Sequence, residues 1–311
     1  MPYPMDLKDK KILITGGNGF LGRHILKNLL ENRGVPSNNI FTPHLKELDL
    51  RDQKVAAKAV QKMDIVIHLA SLSSSLASKT GPASVFYGNS IMGLNLLEAS
   101  RMAGVKKFIS IGSANEYPHN APMPLKEEYL WQGMSGPELF PYSMSKKVMA
   151  LGTELYRKEY GFNAIHLILA SMYGPGYDPD SSMLVPAIIR QIQKAKKDNL
   201  PNIIGWGSGN ATRDFLYVED AAEGIIKAAE LYNKEKPLNI GSGIETPVRE
   251  LMETLCSALE FKDGIRWDET KPEGSLRYVL DVSRARRELG FNPLVDIKNG
   301  LTKTVKKLNG L

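Results

Sequence analysis

The chain has 311 residues, which at about 100–200 residues per domain allow one large domain or two smaller ones. Hydrophobic residues make up 42% and charged residues 24%, a balance that excludes a disordered polymer and fits an ordinary globular chain. The net charge of +6 comes without a concentrated basic stripe, so we expect no nucleic-acid partner, and no apolar run approaches the roughly 18 residues of a membrane-spanning helix.

Short apolar segments alternate with amphipathic ones along the first half of the chain. The pattern predicts strands at residues 11–15, 40–42, 64–70, 107–111 and 164–169. Between them it predicts helices at residues 24–31, 52–62, 89–103 and 143–160. Strands that alternate with helices favour a parallel sheet, and their nearly continuous apolar character indicates that helices cover both faces. We therefore predict an α/β fold with a doubly wound, Rossmann-type parallel sheet.

After about residue 170 the pattern becomes less regular. Residues 173–180 are rich in turn-forming residues, and the remainder mixes short strands with helices such as 248–259. We expect residues 1–170 to contain the sheet, and residues 171–311 to form a smaller α/β lobe that is interleaved with it. A ligand of such a sheet binds in the crevice at the carboxyl ends of the strands.

The chain has one cysteine, Cys256, which cannot form an internal disulfide, and no Cys/His cluster has the spacing of a zinc site. The first residues contain no apolar segment of the kind that a secretory signal requires. We therefore expect a cytoplasmic protein without a metal site.

Three glycines, Gly16, Gly19 and Gly22, recur at a spacing of three between the first strand and the first helix. Glycines in this position allow a tight turn, close approach of the backbone to a pyrophosphate and close helix–strand packing. The free N–H groups at the start of the helix also favour phosphates. The glycine loop therefore predicts a dinucleotide site. We expect its contacts to come from Gly16, Asn18, Gly19, Phe20, Leu21 and Gly22.

The residues after the second predicted strand bear on the choice of cofactor. An acidic residue there would bind the ribose 2′-hydroxyl of NAD, whereas a basic residue suits the 2′-phosphate of NADP. Residues 42–46 include His44 and Lys46 and contain no acid. We favour NADP, with His44 and Lys46 at the phosphate. If both side chains instead face solvent, NAD is possible.

Tyr142 and Lys146 are four residues apart on a predicted helix, so that both project from one face. An ammonium near the phenol would lower the pKa of Tyr142, which could then exchange a proton with a substrate oxygen during hydride transfer. Ser113, at the end of the predicted strand 107–111, is placed to hydrogen-bond the same oxygen. We therefore predict that Ser113, Tyr142 and Lys146 are the catalytic residues.

Further segments follow these motifs in a fixed order: Asp49-Leu-Arg-Asp52, His68-Leu-Ala70, Asn89, Tyr173-Gly-Pro175 and residues 213–220. Together they resemble the extended short-chain dehydrogenase/reductases, the NAD-dependent epimerase/dehydratase family. The resemblance implies an NAD(P)-binding domain over residues 1–170, a nucleotide-sugar-binding lobe over residues 171–311, and a homodimer formed through helices 89–103 and 143–160. The implied cofactor contacts are Asp49, Leu50, Leu69, Ala70 and Asn89, together with Tyr142 and Lys146.

Residues 111–118, 186–190 and 239–243 are similar to segments of the GDP-L-fucose synthase family within that group. This similarity implies a GDP-linked sugar substrate. Arg190, Trp206 and Arg213 are expected near the nucleotide and diphosphate, although Arg190 could also be a solvated helix residue and Trp206 a core residue. The positions implied at the substrate are Asn115, Ser171, Met183, Arg190, Trp206 and Arg213.

Two positions depart from that family. Its epimerisation uses a cysteine two residues after the serine and a histidine before the Pro186 motif, where this chain has Asn115 and Met183. Neither side chain exchanges a proton with a carbon acid near neutral pH. Alternation along the strand would point the neighbouring Glu116 to the other face.

These departures predict reduction of a 4-keto (deoxy)sugar on GDP without C3 or C5 epimerisation. Two alternatives stay open. One is a nucleotide-sugar C4 epimerase that retains its NAD(P). The other is a non-catalytic NAD(P)-binding regulator built on the same fold, because a fold does not determine a function.

Overall fold

A computed structural model describes residues 4–44, 48–72, 81–178, 181 and 183–308. The predicted α/β fold class is confirmed, with helices on both faces of a parallel sheet. The strands are β1 (Ile12–Thr15), β2 (Ile40–Phe41), β3 (Ile65–His68), β4 (Lys107–Ser113), β5 (Ala164–Leu169), β6 (Ser171–Tyr173), β7 (Ile203–Trp206), β8 (Thr212–Arg213), β9 (Phe215–Tyr217), β10 (Leu238–Ile240), β11 (Thr246–Pro247), β12 (Ile265–Asp268) and β13 (Arg277–Tyr278). The helices are α1 (Phe20–Glu31), α2 (Gln53–Ala59), α3 (Pro82–Met102), α4 (Phe140–Tyr160), α5 (Leu184–Lys197), α6 (Val218–Leu231), α7 (Val248–Ala258), α8 (Ser283–Leu289) and α9 (Ile297–Leu308).

The main sheet has the strand order β10-β5-β4-β3-β1-β2, and all its described pairs are parallel. Side chains of β1 alternate between two cores. Ile12 and Ile14 pack in the core that includes Ile25 of α1, whereas Leu13 packs with Leu96 of α3 on the opposite face. In the sheet, β2 lies on one side of β1 and β3 lies on the other side. This reversal of the strand order opens a crevice at the carboxyl ends of β1 and β3.

Several helices differ in length from the sequence prediction. The helix predicted at 89–103 begins at Pro82, because proline suits the first turn of a helix, where its missing N–H has no partner to lose. The helix predicted at 52–62 ends at Ala59, and Asp52 lies just before it, where its carboxylate accepts from the backbone N–H groups of Lys54 and Val55. The strand β4 continues past residue 111 to Ser113, so this serine is the last residue of the strand.

The second half of the chain builds a smaller set of sheets, β11-β8-β13, β12-β7 and β6-β9, while β10 returns to the edge of the main sheet. Helices α5, α7 and α9 share a core that includes Ile188, Leu255 and Leu301. Tyr278 of β13 donates through its hydroxyl to the carbonyl oxygen of Ala114, just after β4, so these elements contact the carboxyl end of that strand. Among the helices that the structure describes, none is long and apolar enough to span a bilayer.

Candidate active site

The glycine loop follows β1 directly and leads into α1. Gly16 adopts the left-handed region (φ 72°), and a Cβ there would lie 2.9 Å from the backbone nitrogen of Ala70. A Cβ on Gly22 would lie 2.5 Å from the carbonyl oxygens of Gly16 and Gly17. The loop is therefore packed backbone to backbone between the end of β3 and the start of α1, with no room for side chains.

A cavity of about 390 Å³ lies against this loop at the carboxyl ends of β1 and β3. Seven residues predicted to bind the cofactor line it, namely Gly16, Asn18, Gly19, His44, Leu50, Leu69 and Ala70. Sequence reasoning missed six further lining residues, Thr15, Pro43, Leu48, Ser71, Leu72 and Met92. The Asn18 amide donates to the carbonyl oxygen of Thr42 at 3.1 Å, which holds the loop to the chain after β2. A glycine cradle that opens onto an apolar cavity fits an adenine dinucleotide.

Other predicted cofactor residues lie outside this lining. Leu21 is only 8% exposed and packs in the main core, while Phe20 packs edge-on against the rings of His24 and Tyr177. Both side chains therefore pack within the protein next to the loop and do not line the cavity. Lys46 falls outside the described residues.

Asn89 and Asp49 also have partners within the protein. The Asn89 amide accepts from the backbone N–H of Leu72 at 2.7 Å and donates to its carbonyl at 3.0 Å, which fixes the segment after β3. Asp49 pairs with Arg51 at 2.7 Å, and its hydrogen bonds from that side chain and backbone lower the pKa of Asp49 to about 2. Contact of either residue with a cofactor stays a prediction.

The three predicted catalytic residues meet at the end of β4. Lys146 is buried in α4 and donates through Nζ to the carbonyl oxygen of Ile111 at 2.9 Å. Its Nζ lies 5.6 Å from the centroid of the Tyr142 ring. Ser113 is half-buried, and its hydroxyl oxygen accepts from the backbone N–H of Asn115 at 3.3 Å. The phenol and the ammonium therefore lie together on α4, and the lysine contacts the strand β4 that ends with the Ser113 hydroxyl.

The protonation of the tyrosine differs from the sequence expectation. Burial, followed by the negative charge of Glu116, raises the pKa of Tyr142 to about 12, while a hydrogen bond with Ser71 opposes the rise. Burial lowers the pKa of Lys146 to about 8, and Glu116 opposes that fall. The expectation of a lowered tyrosine pKa was wrong, because burial and the negative charge of Glu116 raise it. Near neutral pH the Tyr142 phenol is protonated and lies beside a lysine that is mostly charged.

Glu116 also differs from the prediction that placed it on the other face of a strand. Residues 114–116 form a short 3₁₀ turn, and this turn directs the Glu116 carboxylate back beneath Ser113. Its Oε1 accepts from the backbone N–H of Ser113 at 2.6 Å, and the side chain is fully buried. The signal that could have revealed this contact is the Ser-x-x-Glu spacing of a capping box.

Two further cavities share Arg213. The first, of about 470 Å³, is lined by Asn115, Tyr117, His119, Gly136, Tyr278 and Arg213. We call it the sugar cavity, after the part of the substrate that the sequence led us to expect at Asn115. The second, of about 550 Å³, includes Leu184, Ile188, Gln191, Trp206, Glu273 and Arg213 in its lining. We call this one the nucleotide cavity, after the part expected at Trp206 and Arg213.

Arg213 stands between these cavities. Its guanidinium donates to the carbonyl oxygens of Thr212 and Ser275, at 2.8 Å and 2.7 Å, and burial lowers the pKa of the side chain from its usual value. Trp206 is 60% exposed at the edge of the nucleotide cavity, so it is not a core residue. The predicted substrate residues Asn115, Trp206 and Arg213 are thus brought together along one groove.

Three predicted substrate residues lie outside the described cavity linings. Ser171 is exposed on β6. Met183 precedes α5, the helix that carries four residues of the nucleotide cavity, and it is 36% exposed. Arg190 is half-buried on α5, and its charge acts on the Tyr177 phenol. Their contact with a substrate stays a prediction.

A family model and individual known proteins both match most of the chain. A family model described as the NAD dependent epimerase/dehydratase family matches residues 12–241. Among curated proteins, the chain is 34% identical over 307 residues to a GDP-L-fucose synthase of Sinorhizobium fredii, covering 97% of this chain and 96% of that protein. It is 30% identical over 312 residues to the GDP-L-fucose synthase of Escherichia coli, covering 96% of each.

Solved structures include similar chains from Campylobacter jejuni. One is a GDP-mannoheptose C4 reductase with NADP bound, which is 27% identical with a TM-score of 0.86, covering 97% of this chain and 99% of that one. Another is a GDP-6-OMe-4-keto-L-xylo-heptose reductase, which is 25% identical with a TM-score of 0.88, covering 99% of both chains.

Proposed function

The chain belongs to the NAD dependent epimerase/dehydratase family, and within it we propose that this protein is an NADPH-dependent reductase of a 4-keto (deoxy)sugar attached to GDP. The reduction leaves C3 and C5 without epimerisation. The observation that carries this proposal is the pairing of a complete Ser113, Tyr142 and Lys146 set with Asn115 in the sugar cavity. The similarity to a GDP-mannoheptose C4 reductase supports it.

In the proposed reduction, the catalytic residues transfer one proton to the carbonyl oxygen of the substrate. NADPH, when bound, supplies the hydride that the carbonyl carbon receives. Ser113 donates a hydrogen bond to the carbonyl oxygen, and Tyr142 gives its proton to that oxygen as negative charge develops. The ammonium of Lys146 stabilises the phenolate that remains, which solvent then reprotonates. The raised pKa of Tyr142 keeps this proton in place until it is needed.

The nucleotide cavity suits a nucleoside diphosphate. The indole of Trp206 is exposed at its edge and offers a flat apolar surface to a base. Arg213 lies where this cavity meets the sugar cavity, and a guanidinium fork suits the oxygens of a diphosphate. A sugar linked to the diphosphate would then extend past Arg213 towards Asn115.

Reaction in D₂O tests the proposal. Epimerisation beside a ketone removes a proton from carbon and returns another, which washes solvent deuterium into the product. With GDP-4-keto-6-deoxymannose and NADPH, we expect one NADPH consumed per product and no enzyme-dependent deuterium at C3 or C5. Deuterium at either carbon would overturn the reductase-only proposal and direct attention to His119, which lines the sugar cavity.

The NADPH count, with a second assay on the corresponding alcohol, separates the alternatives. A C4 epimerase that retains its cofactor would convert an alcohol substrate without net consumption of NADPH. A binding-only regulator would take up NADPH and turn over no 4-keto sugar, whether the substrate is a deoxyhexose or a heptose.

We also propose that the protein is a homodimer formed through α3 and α4. The two helices pack side by side, and each exposes apolar side chains to solvent. On α3 these include Tyr87 and Met102, which are 63% and 69% exposed, and on α4 they include Leu151 and Leu155, at 45% and 49%. Light scattering should give a dimeric mass, and Leu155→Lys should give a monomer. A monomeric wild type at micromolar concentration would contradict this proposal.

A further inference from the structure

A buried acid–imidazole pair lies directly beneath the catalytic serine. Glu116 and His166 are 0% and 1% exposed, and Oε2 of Glu116 lies 3.0 Å from Nε2 of His166. The other ring nitrogen of His166 lies 3.2 Å from the hydroxyl of Ser110. Because a carboxylate only accepts, the Nε2–H of His166 donates to Glu116, and the hydroxyl of Ser110 is the partner of the other ring nitrogen. Both ring nitrogens and both carboxylate oxygens of the pair thus have partners.

The backbone is shaped to admit this pair. A Cβ on Gly112 would lie 2.2 Å from Oε1 of Glu116 and 2.4 Å from Nε2 of His166. Any larger residue in the strand before Ser113 would therefore displace the carboxylate. The cost of burying a charge is high unless hydrogen bonds compensate it. Here the Ser113 N–H and the imidazole compensate it, on two different oxygens.

We propose that Glu116 is a positioning residue of the reductase, which fixes Ser113 through its backbone N–H and, oriented by His166, places a buried negative charge beside Tyr142 and Lys146. This inference rests on the proposed function. Its consequence is that the site is held in its reducing form, with the phenol protonated and the ammonium charged.

The neighbours of Glu116 agree with such a role. The ionisable groups that face it come from each element packed against it: His166 on β5, Tyr142, Lys146 and Lys147 on α4, Tyr117 beside it, and Tyr278 on β13. Its charge raises the pKa of Tyr142 and of Lys146 alike. The higher pKa favours the protonated phenol of Tyr142, which is the proton donor, and the charged ammonium form of Lys146.

The test compares Glu116→Gln with wild type. The amide keeps the shape and an oxygen for the Ser113 N–H, while the charge is lost. In the reduction assay we expect kcat to fall on the order of tenfold or more with little change in KM. We also expect the alkaline limb of the kcat profile, set by Lys146, to move to lower pH by about one pH unit, the usual effect of a nearby charge.

Two further variants separate the effect of the Glu116 charge from the effect of substitution itself. Glu116→Asp keeps the charge, so its alkaline limb should stay at the wild-type position even where kcat is reduced. Glu253→Gln, an exposed position on α7, is the matched control and should leave both kcat and the limb unchanged. Wild-type kcat and limb in a folded Glu116→Gln would overturn the proposal, as would equal shifts of the limb in Glu116→Asp and Glu116→Gln.

A measurement without substrate separates this inference from the proposed function. The near-ultraviolet absorbance of tyrosinate, taken as the difference from a Tyr142→Phe partner, reports ionisation of Tyr142 alone. We expect this ionisation to begin at lower pH in Glu116→Gln than in wild type. If Glu116→Gln does not fold, Gly112→Ala, which displaces the carboxylate, takes its place with the same expectation. An unchanged titration would overturn the inference whatever the substrate proves to be.

Discussion

Gly22→Ala should weaken NADPH binding through the backbone of the cofactor loop. The added Cβ would meet Gly16 O, Gly17 Cα and Gly17 O, each at 2.5 Å. These contacts are roughly 0.9 Å short of the 3.4 Å at which ordinary contact begins, which is deep in the repulsive range. All three atoms belong to the backbone, so no flexible side chain can move aside. Either the loop or the start of α1 must shift.

The size of the effect follows from this overlap. Forcing one extra carbon into a packed site costs about 1–3 kcal/mol. If the loop takes up the strain by leaving its phosphate-binding position, the dissociation constant for NADPH rises by about 5- to 150-fold, at 1.4 kcal/mol per factor of ten. Titration calorimetry measures this constant directly, and NADPH fluorescence provides a second reading.

Gly34→Ala is the matched control, because it makes the same change just beyond the other end of α1. Gly34 has a positive φ of 62° with no atom within 4 Å of the added Cβ. The substitution should cost about 1–2 kcal/mol of stability from backbone strain alone. It should leave the affinity for NADPH unchanged. Wild-type affinity in Gly22→Ala would refute the reasoning, since the loop would then tolerate a carbon in space that its backbone occupies.

Three further predictions concern the chemistry. Tyr142→Phe should reduce turnover on the order of 10²–10⁴-fold with unchanged NADPH affinity, because only the proton donor is lost. Steady-state rates and calorimetry measure the two quantities, and normal turnover would contradict the mechanism. Lys46→Glu should reverse or reduce the preference for NADPH over NADH, measured as the ratio of the two dissociation constants. A wild-type protein that binds NADH about tenfold more tightly than NADPH would show the cofactor assignment to be wrong. The rate of reduction should hold below the pKa of Lys146, about 8, and fall above it as the ammonium is lost; a rate that rises through this range would contradict the role of the lysine.

The main sheet was predictable because its strands are short apolar runs between helices. The strand Ala164–Leu169 matches the prediction residue for residue, since it is buried throughout and every side chain is apolar or paired inside. Helix starts were less predictable. The segment from Pro82 to Tyr87 lacks a regular apolar period, so hydrophobic pattern did not include it in the helix. The start is marked instead by Pro82, which fits the first turn of a helix and which the pattern does not count.

Within the site, the glycine motif identified positions where the backbone leaves little room for a side chain. Gly16 and Gly19 line the cavity, and a Cβ on either would lie within 3.1 Å of the backbone, a requirement that a glycine motif records directly. Asn89 shows the limit of the approach. Its place in an ordered set of motifs suggests cofactor contact, which stays a prediction, and gave no sign that its amide is bonded to the backbone of Leu72. A motif identifies a residue that matters to a site and does not specify which atoms it touches.

Glu116 shows why sequence pattern gave the wrong orientation at the point where charge matters most. Alternation assumes that the strand continues, but β4 ends at Ser113 and the next three residues turn. The turn brings the carboxylate beneath the serine, where it favours a protonated Tyr142. A C4 epimerase must first oxidise an alcohol, which requires this tyrosine to accept a proton. A raised pKa keeps Tyr142 protonated near neutral pH, so the phenolate that such an oxidation needs is scarce and the phenol that the proposed reduction needs is the resting form.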